Sequence, residues 1–234
     1  MEENRITVVV SSRKPANENM DFIDNVSSTC GCSCDMKYIE NPQGISLVEI
    51  YNRYLDESSS DIIAFIHDDI EFLKDNWGLE LIRLFKEHED YGIIGVAGSA
   101  EFDEHGMWWN YGKKYGQVVH RHNGSSWLTA FSDLIKDDLK EVCVVDGLFI
   151  AVERTRLSNR FDDRFKGFNH YDTSFCLSNY IEGYPKIGVT TNIRLAHKSI
   201  GETKKNFFDN LKLLNDIYQD YYPIDVEEDL KLDN

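Results

Sequence analysis

Residues 61–69 read Asp61-Ile-Ile-Ala-Phe-Ile-His67-Asp68-Asp69: a continuous apolar run of strand length that stops at two carboxylates. An unbroken apolar run, as opposed to an alternating one, marks a strand covered on both faces, the usual state of a strand inside an α/β sheet. Upstream, Ser46-Leu-Val-Glu49 has the spacing of a capping box, and Leu47, Ile50, Tyr51, Tyr54 and Leu55 then fall on one face, predicting an amphipathic helix over 46–57. Further upstream Ile6–Ser11 is a β-branched run that ends in Arg13-Lys14-Pro15, a first buried strand with a polar loop behind it. Downstream, Asp75-Asn76 is a capping pair for a helix that carries Trp77, Leu81, Leu84 and Phe85 on one face, and Ile93–Ala97 is the next buried strand. Strands alternating with helices predict an α/β fold with a mostly parallel central sheet flanked by helices, whose ligands lie beyond the carboxyl ends of the strands. Asp68 and Asp69 stand at that edge.

From Ser99 to Asp133 the periodicity fades while Trp108, Trp109, Tyr111, Tyr115 and Trp127 crowd together, so this region reads as a long functional loop. Val142–Val152 predicts a strand, interrupted only by Asp146-Gly147. Asp172–Glu182 predicts a helix stopped by Gly183, and Lys186–Leu195 a last strand leading to His197. Phe207, Leu211, Leu214, Tyr218 and Tyr221 then form the seam of a C-terminal helix that packs on the body or pairs two subunits in a homodimer. The acidic end, Asp225–Asn234, is expected to fray.

The chain has 234 residues, enough to bury roughly 70–75% of the surface that its unfolded form exposes, so one domain over 1–234 needs no disulfide staples. Lys and Arg number 25 against 41 Asp and Glu, a net charge of −16 that repels phosphate backbones and excludes nucleic acid as the expected partner. The first residues are acidic and the apolar run after them is short, unlike a signal peptide, and no apolar stretch reaches membrane-spanning length. These features predict a cytoplasmic protein. Cys30, Cys32 and Cys34, two residues apart, lack the paired spacing of a zinc site and read as thiols in a loop or strand.

Read singly, each candidate site residue has an ordinary explanation beside the chemical one. Asp68 and Asp69 are hard oxygen donors suited to Mg²⁺ or Mn²⁺, or else an acidic turn. Asp172 is a general base or a helix-start carboxylate. Asp146 binds a ligand hydroxyl or satisfies its own turn. Trp108 and Trp109 stack on a sugar or plug a loop onto the core. Arg13 and Lys14 are solvated charges or line a strand-end nucleotide site. His67 and His170 flank the two acidic motifs and tune them.

Their order along the chain is more specific. Ile-Thr-Val-Val-Val-Ser-Ser-Arg-Lys-Pro from Ile6, the His67-Asp68-Asp69-Ile70 turn, Val145-Asp-Gly-Leu-Phe-Ile-Ala-Val-Glu-Arg154, Phe161-Asp-Asp-Arg-Phe165 with His170-Tyr-Asp-Thr-Ser-Phe-Cys-Leu177, and Ala196-His-Lys-Ser199 together resemble glycosyltransferase family 2 over roughly residues 5–200. In particular they resemble small bacterial members with His-Asp-Asp-Ile in place of Asp-X-Asp.

The resemblance implies a GT-A-type fold for nucleotide-diphospho-sugar transfer. About 1–100 would be the nucleotide-binding half, about 101–200 the acceptor-binding half, and about 201–234 the C-terminal helix and acidic tail. It implies an inverting transferase that moves a sugar from a nucleoside-diphosphate sugar to a glycan or lipid-linked glycan, in surface polysaccharide synthesis. For the residues, it implies Asp172 as the catalytic base and Asp69 and His197 as ligands of a divalent Mn or Mg ion. Ser11, Arg13, Lys14, Asp68 and Asp69 would lie along the donor; Trp108, Trp109, Asp146, Gly147 and His170 would lie along the sugar or acceptor. The aromatic segment 101–132 would close over the acceptor. A lipid-linked acceptor would place the protein at the cytoplasmic face of the membrane. His67 stands where the first Asp of Asp-X-Asp is expected, and Tyr171 where an acidic residue precedes the base. The alternatives are a non-catalytic carbohydrate-binding relative and a metal-dependent hydrolase.

Overall fold

The β-branched run at the start forms β1 (Arg5–Ser12), whose Ile6 and Val8–Val10 are fully buried. The computed structural model describes residues 5–110, 112–131, 137–199 and 205–232. After β1 come α1 (Met20–Thr29), β2 (Ser33–Glu40), α2 (Leu47–Glu57), β3 (Ile62–Ile66), β4 (Ile70–Phe72), α3 (Trp77–Glu87) and β5 (Tyr91–Gly95). Helices α2 and α3 bury the apolar faces expected of them, Leu47, Ile50, Tyr51 and Leu55 in one and Trp77, Leu81, Leu84 and Phe85 in the other. Their starts differ from expectation. Neither Ser46 nor Asn76 makes a side-chain capping bond, and Asn76 lies in the left-handed region with φ 67°. Helix α3 is instead anchored through its backbone, since the Gly78 and Leu79 amides donate to the Cys30 carbonyl.

The second half begins with β6 (Ala97–Ser99), β7 (Glu101–Phe102), β8 (Lys114–His122) and β9 (Ser125–Ala130). It continues with β10 (Lys140–Val142), β11 (Val144–Val145), β12 (Phe149–Glu153), α4 (Tyr171–Ile181), β13 (Lys186–Val189) and β14 (Leu195–His197), and ends in α5 (Lys205–Tyr218), β15 (Ile224–Asp225) and α6 (Val226–Leu232). The main sheet runs β10-β13-β5-β12-β3-β1-β2. Its pairing is mixed: β1 is parallel to β2 and β3, and β13 to β5, while β12 lies antiparallel between β3 and β5.

Two long strands expected from the sequence are broken where they change sheets. The run through Val142–Val152 divides into β10, β11 and β12, turning at Cys143 and at Asp146–Leu148; Lys186–Leu195 divides into β13 and β14. A second sheet, β11-β6-β8-β14-β4, carries the continuations. There Gly98 lets β6 approach β11 closely, for a Cβ at this position would lie 2.1 Å from the Val144 carbonyl oxygen. Gly98→Ala is expected to cost about 1–3 kcal/mol of stability, as overpacking against backbone does, and urea unfolding measures it.

Within the stretch that reads as a long loop, residues 114–130 form a hairpin, while 103–110 are irregular. Strands β8 and β9 pair antiparallel from Gln117–Ala130 to His122–Ser125 around Asn123-Gly124, both at positive φ (50° and 77°), as a two-residue primed turn requires. Tyr111 lies outside the described residues. The acidic end is likewise tied down where described. Ile224 pairs with Phe102, Lys113 contacts Asp225 and Glu227, Lys140 contacts Glu227, and Tyr180 donates to Asp229. Among the described residues no helix is long and apolar enough to cross a membrane.

Candidate active site

The turn between β3 and β4 is stapled at both ends. The His67 amide donates to the Leu148 carbonyl and the Asp69 carbonyl accepts from the Lys198 amide, so the turn is gripped by the segments entering β12 and leaving β14. Pairing of His197 with Ile70 in the β14–β4 ladder then sets the late histidine beside Asp69, with Nε2 3.3 Å from Oδ1. His67, Asp69 and His197 each offer a ligand atom within 4.8 Å of the others, the one such cluster among the described residues. Burial opposes ionisation of Asp69, but His197 and His67 outweigh it and hold its carboxyl well below the usual range. Burial lowers His67, keeping it neutral; burial also disfavours the charged form of His197, yet contact with Asp69 raises it. Asp69 Oδ1 is buried, and its contact with His197 falls short of a well-aligned hydrogen bond.

Asp68 points the other way. Its Oδ2 accepts from the Ser12 hydroxyl, which also accepts from the Lys14 amide, and its carbonyl accepts from Asn19. The carboxylate turn is thus tied to the end of β1. Ser11 accepts from Asn41, and the Arg13 guanidinium lies 5.5 Å from the centre of the Phe168 ring. Ser12, unlike Ser11, is therefore the β1 residue in direct contact with the turn, a distinction that no sequence pattern carries.

Across the site, the Asp146–Leu148 turn closes on itself: the Leu148 amide donates to Asp146 Oδ1 and the Asp146 amide to the Ala97 carbonyl. The Gly147 amide donates to Asp172 Oδ2 at 2.8 Å, and the Thr173 amide donates to Oδ1 at 2.8 Å. Gly147 is required by space, since a Cβ there would lie 2.4 Å from the Tyr171 hydroxyl and 2.9 Å from Asp172 Oδ2. Burial, aided by the Asp146 charge, pushes the Asp172 carboxyl up to about 7 against those two amides. A carboxyl poised near neutrality suits a general base.

His67, His120, Asp146, Asn169, His197 and Ser199 face a cavity of about 520 Å³ whose apolar lining includes Trp108, Trp109, Trp127, Phe131 and Phe207. The tryptophans differ in role. Trp108 is 5% exposed and packs against Phe131 as a plug, whereas Trp109 and Trp127 keep 39% and 41% of their surface free, and Trp127 stacks on His120 at 5.4 Å. His170 does not line the cavity. Its left-handed backbone (φ 59°) turns the ring inward against Phe207, where burial lowers its pKa to about 4. An apolar seat replaces the ligand contact expected of it. Cys30 and Cys32 Sγ lie 3.4 Å apart beside Gly78, and Cys34 lies in β2; none of the three lines this cavity.

Comparison with known proteins places this geometry in a class. Residues 5–211 match the profile of a glycosyltransferase-like family. The chain belongs to that family, and its fold is of the GT-A type. The solved structure of GalNAc-T7 with UDP, GalNAc and Mn²⁺ is similar at a TM-score of 0.54 and 12% identity, over 94% of this chain and 50% of that one. A structure of S. aureus TarS is similar at a TM-score of 0.49 and 10% identity, over 89% of this chain and 64% of that one. This chain therefore spans half the length of the GalNAc-T7 chain. No curated protein sequence matches significantly.

Proposed function

We propose that the chain is a cation-dependent inverting glycosyltransferase that moves a sugar from a nucleoside-diphosphate sugar to a hydroxyl of a glycan or lipid-linked glycan at the cytoplasmic face of a membrane. The observation that carries this reading is the convergence of the His67–Asp69–His197 cluster with a carboxyl of pKa near 7, held by the Asp146–Leu148 turn that borders the same cavity. Asp172 removes the proton from the acceptor hydroxyl, whose oxygen attacks the anomeric carbon as the bond to the diphosphate breaks. The two amides on Asp172 fix the carboxylate for that step. Trp109 and Trp127 offer ring faces on which a sugar stacks and from which water is excluded. Arg13 and Lys14 follow β1, whose Ser12 holds Asp68, and these residues would lie along the donor.

The donor set fits a cation. Two imidazoles and one carboxylate suit Mn²⁺ better than Mg²⁺, which favours oxygen, and the buried Asp69 Oδ1 beside His197 is an acceptor that such an ion would satisfy. A divalent ion held there would supply Lewis-acid stabilisation of the charge that develops on the departing diphosphate. The test is a thermal-shift panel of UDP, GDP, dTDP and CMP with and without Mn²⁺, because a ligand that binds only the folded state raises its melting temperature. One diphosphate is expected to raise it in an Mn²⁺-dependent way and thereby to name the donor base. A shift with free sugars and none with any nucleotide would sink the transferase reading in favour of a carbohydrate-binding relative.

A further inference from the structure

Tyr171 occupies the position before the proposed base, and its ring is buried, 5.8 Å from that of Tyr51 and 6.3 Å from that of Phe161. Its hydroxyl lies 3.2 Å from the Gly147 carbonyl oxygen and 3.2 Å from His67 Nε2. The Tyr51 ring packs edge-on against its own. These contacts limit where the protons are. A carbonyl oxygen only accepts, and a phenol has one proton to give but two lone pairs to receive with. Both contacts are satisfied when Tyr171 donates to Gly147 and accepts from His67. Giving the Tyr171 proton to His67 instead would leave the Gly147 carbonyl without its donor, a costly arrangement in a buried site.

The consequence falls on His67. A neutral imidazole has one N–H, and the nitrogen without it holds the lone pair that a cation needs. We propose that Tyr171 is a positioning residue whose hydroxyl holds His67 as its Nε2–H tautomer, leaving Nδ1 as the donor atom that His67 offers to the cluster with Asp69 and His197. This rests on the cation-site reading above. A ligating imidazole is neutral, so one of its two nitrogens carries the proton. The same hydroxyl holds the carbonyl of Gly147, whose amide holds Asp172, so a single side chain sets the cation ligand and steadies the base. Outer partners that orient a ligating histidine in this way are typically worth about 10–100-fold in metal affinity.

Long-range ¹H–¹⁵N correlation spectra of the apo protein read the tautomer directly, with His67→Gln identifying the resonances among the seven histidines. The wild type is expected to show a protonated Nε2 and an unprotonated Nδ1 at His67. Tyr171→Phe, which keeps the ring and its packing, is expected to shift His67 toward a mixture of tautomers. It is also expected to weaken Mn²⁺ binding, followed by the electron paramagnetic resonance of free Mn²⁺, by about 10–100-fold. A protonated Nδ1 in the wild type overturns the proposal, and that measurement needs no variant to fold. So does a folded Tyr171→Phe protein with unchanged His67 shifts and unchanged Mn²⁺ affinity. Failure of the wild type to bind Mn²⁺ overturns the cation site itself, and is distinguishable because the apo spectra still report the tautomer.

Discussion

Asp172→Asn is expected to lower turnover by about 10²–10⁴-fold while leaving donor affinity near that of the wild type, the result of removing a general base from a site that still binds. The amide keeps the shape of the carboxylate, and its oxygen still accepts from one of the two backbone amides, Gly147 or Thr173. Its NH₂ group faces the other amide donor to donor, so the variant should also melt below the wild type. Separating the two effects requires kinetics well below that melting temperature. The pH dependence is the sharper measurement. Burial and the Asp146 charge lift the folded-state carboxyl to about 7, so the base is deprotonated only above that pH, and wild-type turnover should rise with pH through about 7 and level off beyond it. The variant has no such group and should lose that limb. Linkage gives an independent sign: a carboxyl whose pKa is higher folded than unfolded contributes stability that is complete below about 4 and lost as the pH rises through about 7. An Asp172→Asn protein that turns over normally, or that keeps the rise near pH 7, would remove Asp172 from the role of base.

Those features of the fold and site that were legible in the sequence are the ones written in apolar periodicity. The continuous runs of β1 and β3 and the one-sided patterns of α2 and α3 mark buried surface, and burial is what a pattern of hydrophobicity records. Helix α1 was missed because only Phe22 and Val26 are buried in it, too few positions to make a stripe. Strand β9 was missed for the related reason that nearly all of Ser125–Ala130 is exposed, so nothing in its alternation is selected by a core; the Asn123-Gly124 turn was the available signal. The broken strands had no such signal, because Val142–Val152 is apolar in both sheets that it joins. In the site, carboxylates at strand and helix ends stand out in a sequence. What connects them does not: the Ser12–Asp68 and Tyr171–His67 contacts bridge 56 and 104 residues, and such pairs depend on the register of strands rather than on spacing. His67 was noticed as a departure from a pattern, and geometry is what joins it to Asp69 and His197.

Asp69→Ala is expected to abolish Mn²⁺-dependent stabilisation while leaving the apo protein about as stable as the wild type. The first half follows from the donor set. With Asp69 removed, two imidazoles remain, one buried and neutral, and the cluster loses its one anionic ligand. At a ligand concentration about 100 times its Kd, the wild type gains about 2.7 kcal/mol, which for a chain of this size raises Tm by roughly 5–10 °C; the variant should show none of it. The second half follows from burial. Asp69 Oδ1 is buried against His197, so truncation removes the favourable contact and the desolvation cost of the carboxylate together, two changes of opposite sign. The backbone of the turn is unaffected, since it is the Asp69 carbonyl, not its side chain, that accepts from Lys198. A residue kept for structure alone would behave in the opposite manner, with the apo variant melting several degrees lower and the response to Mn²⁺ intact. Differential scanning calorimetry of both proteins across an Mn²⁺ titration distinguishes these outcomes, and only the first is compatible with Asp69 holding a cation for chemistry.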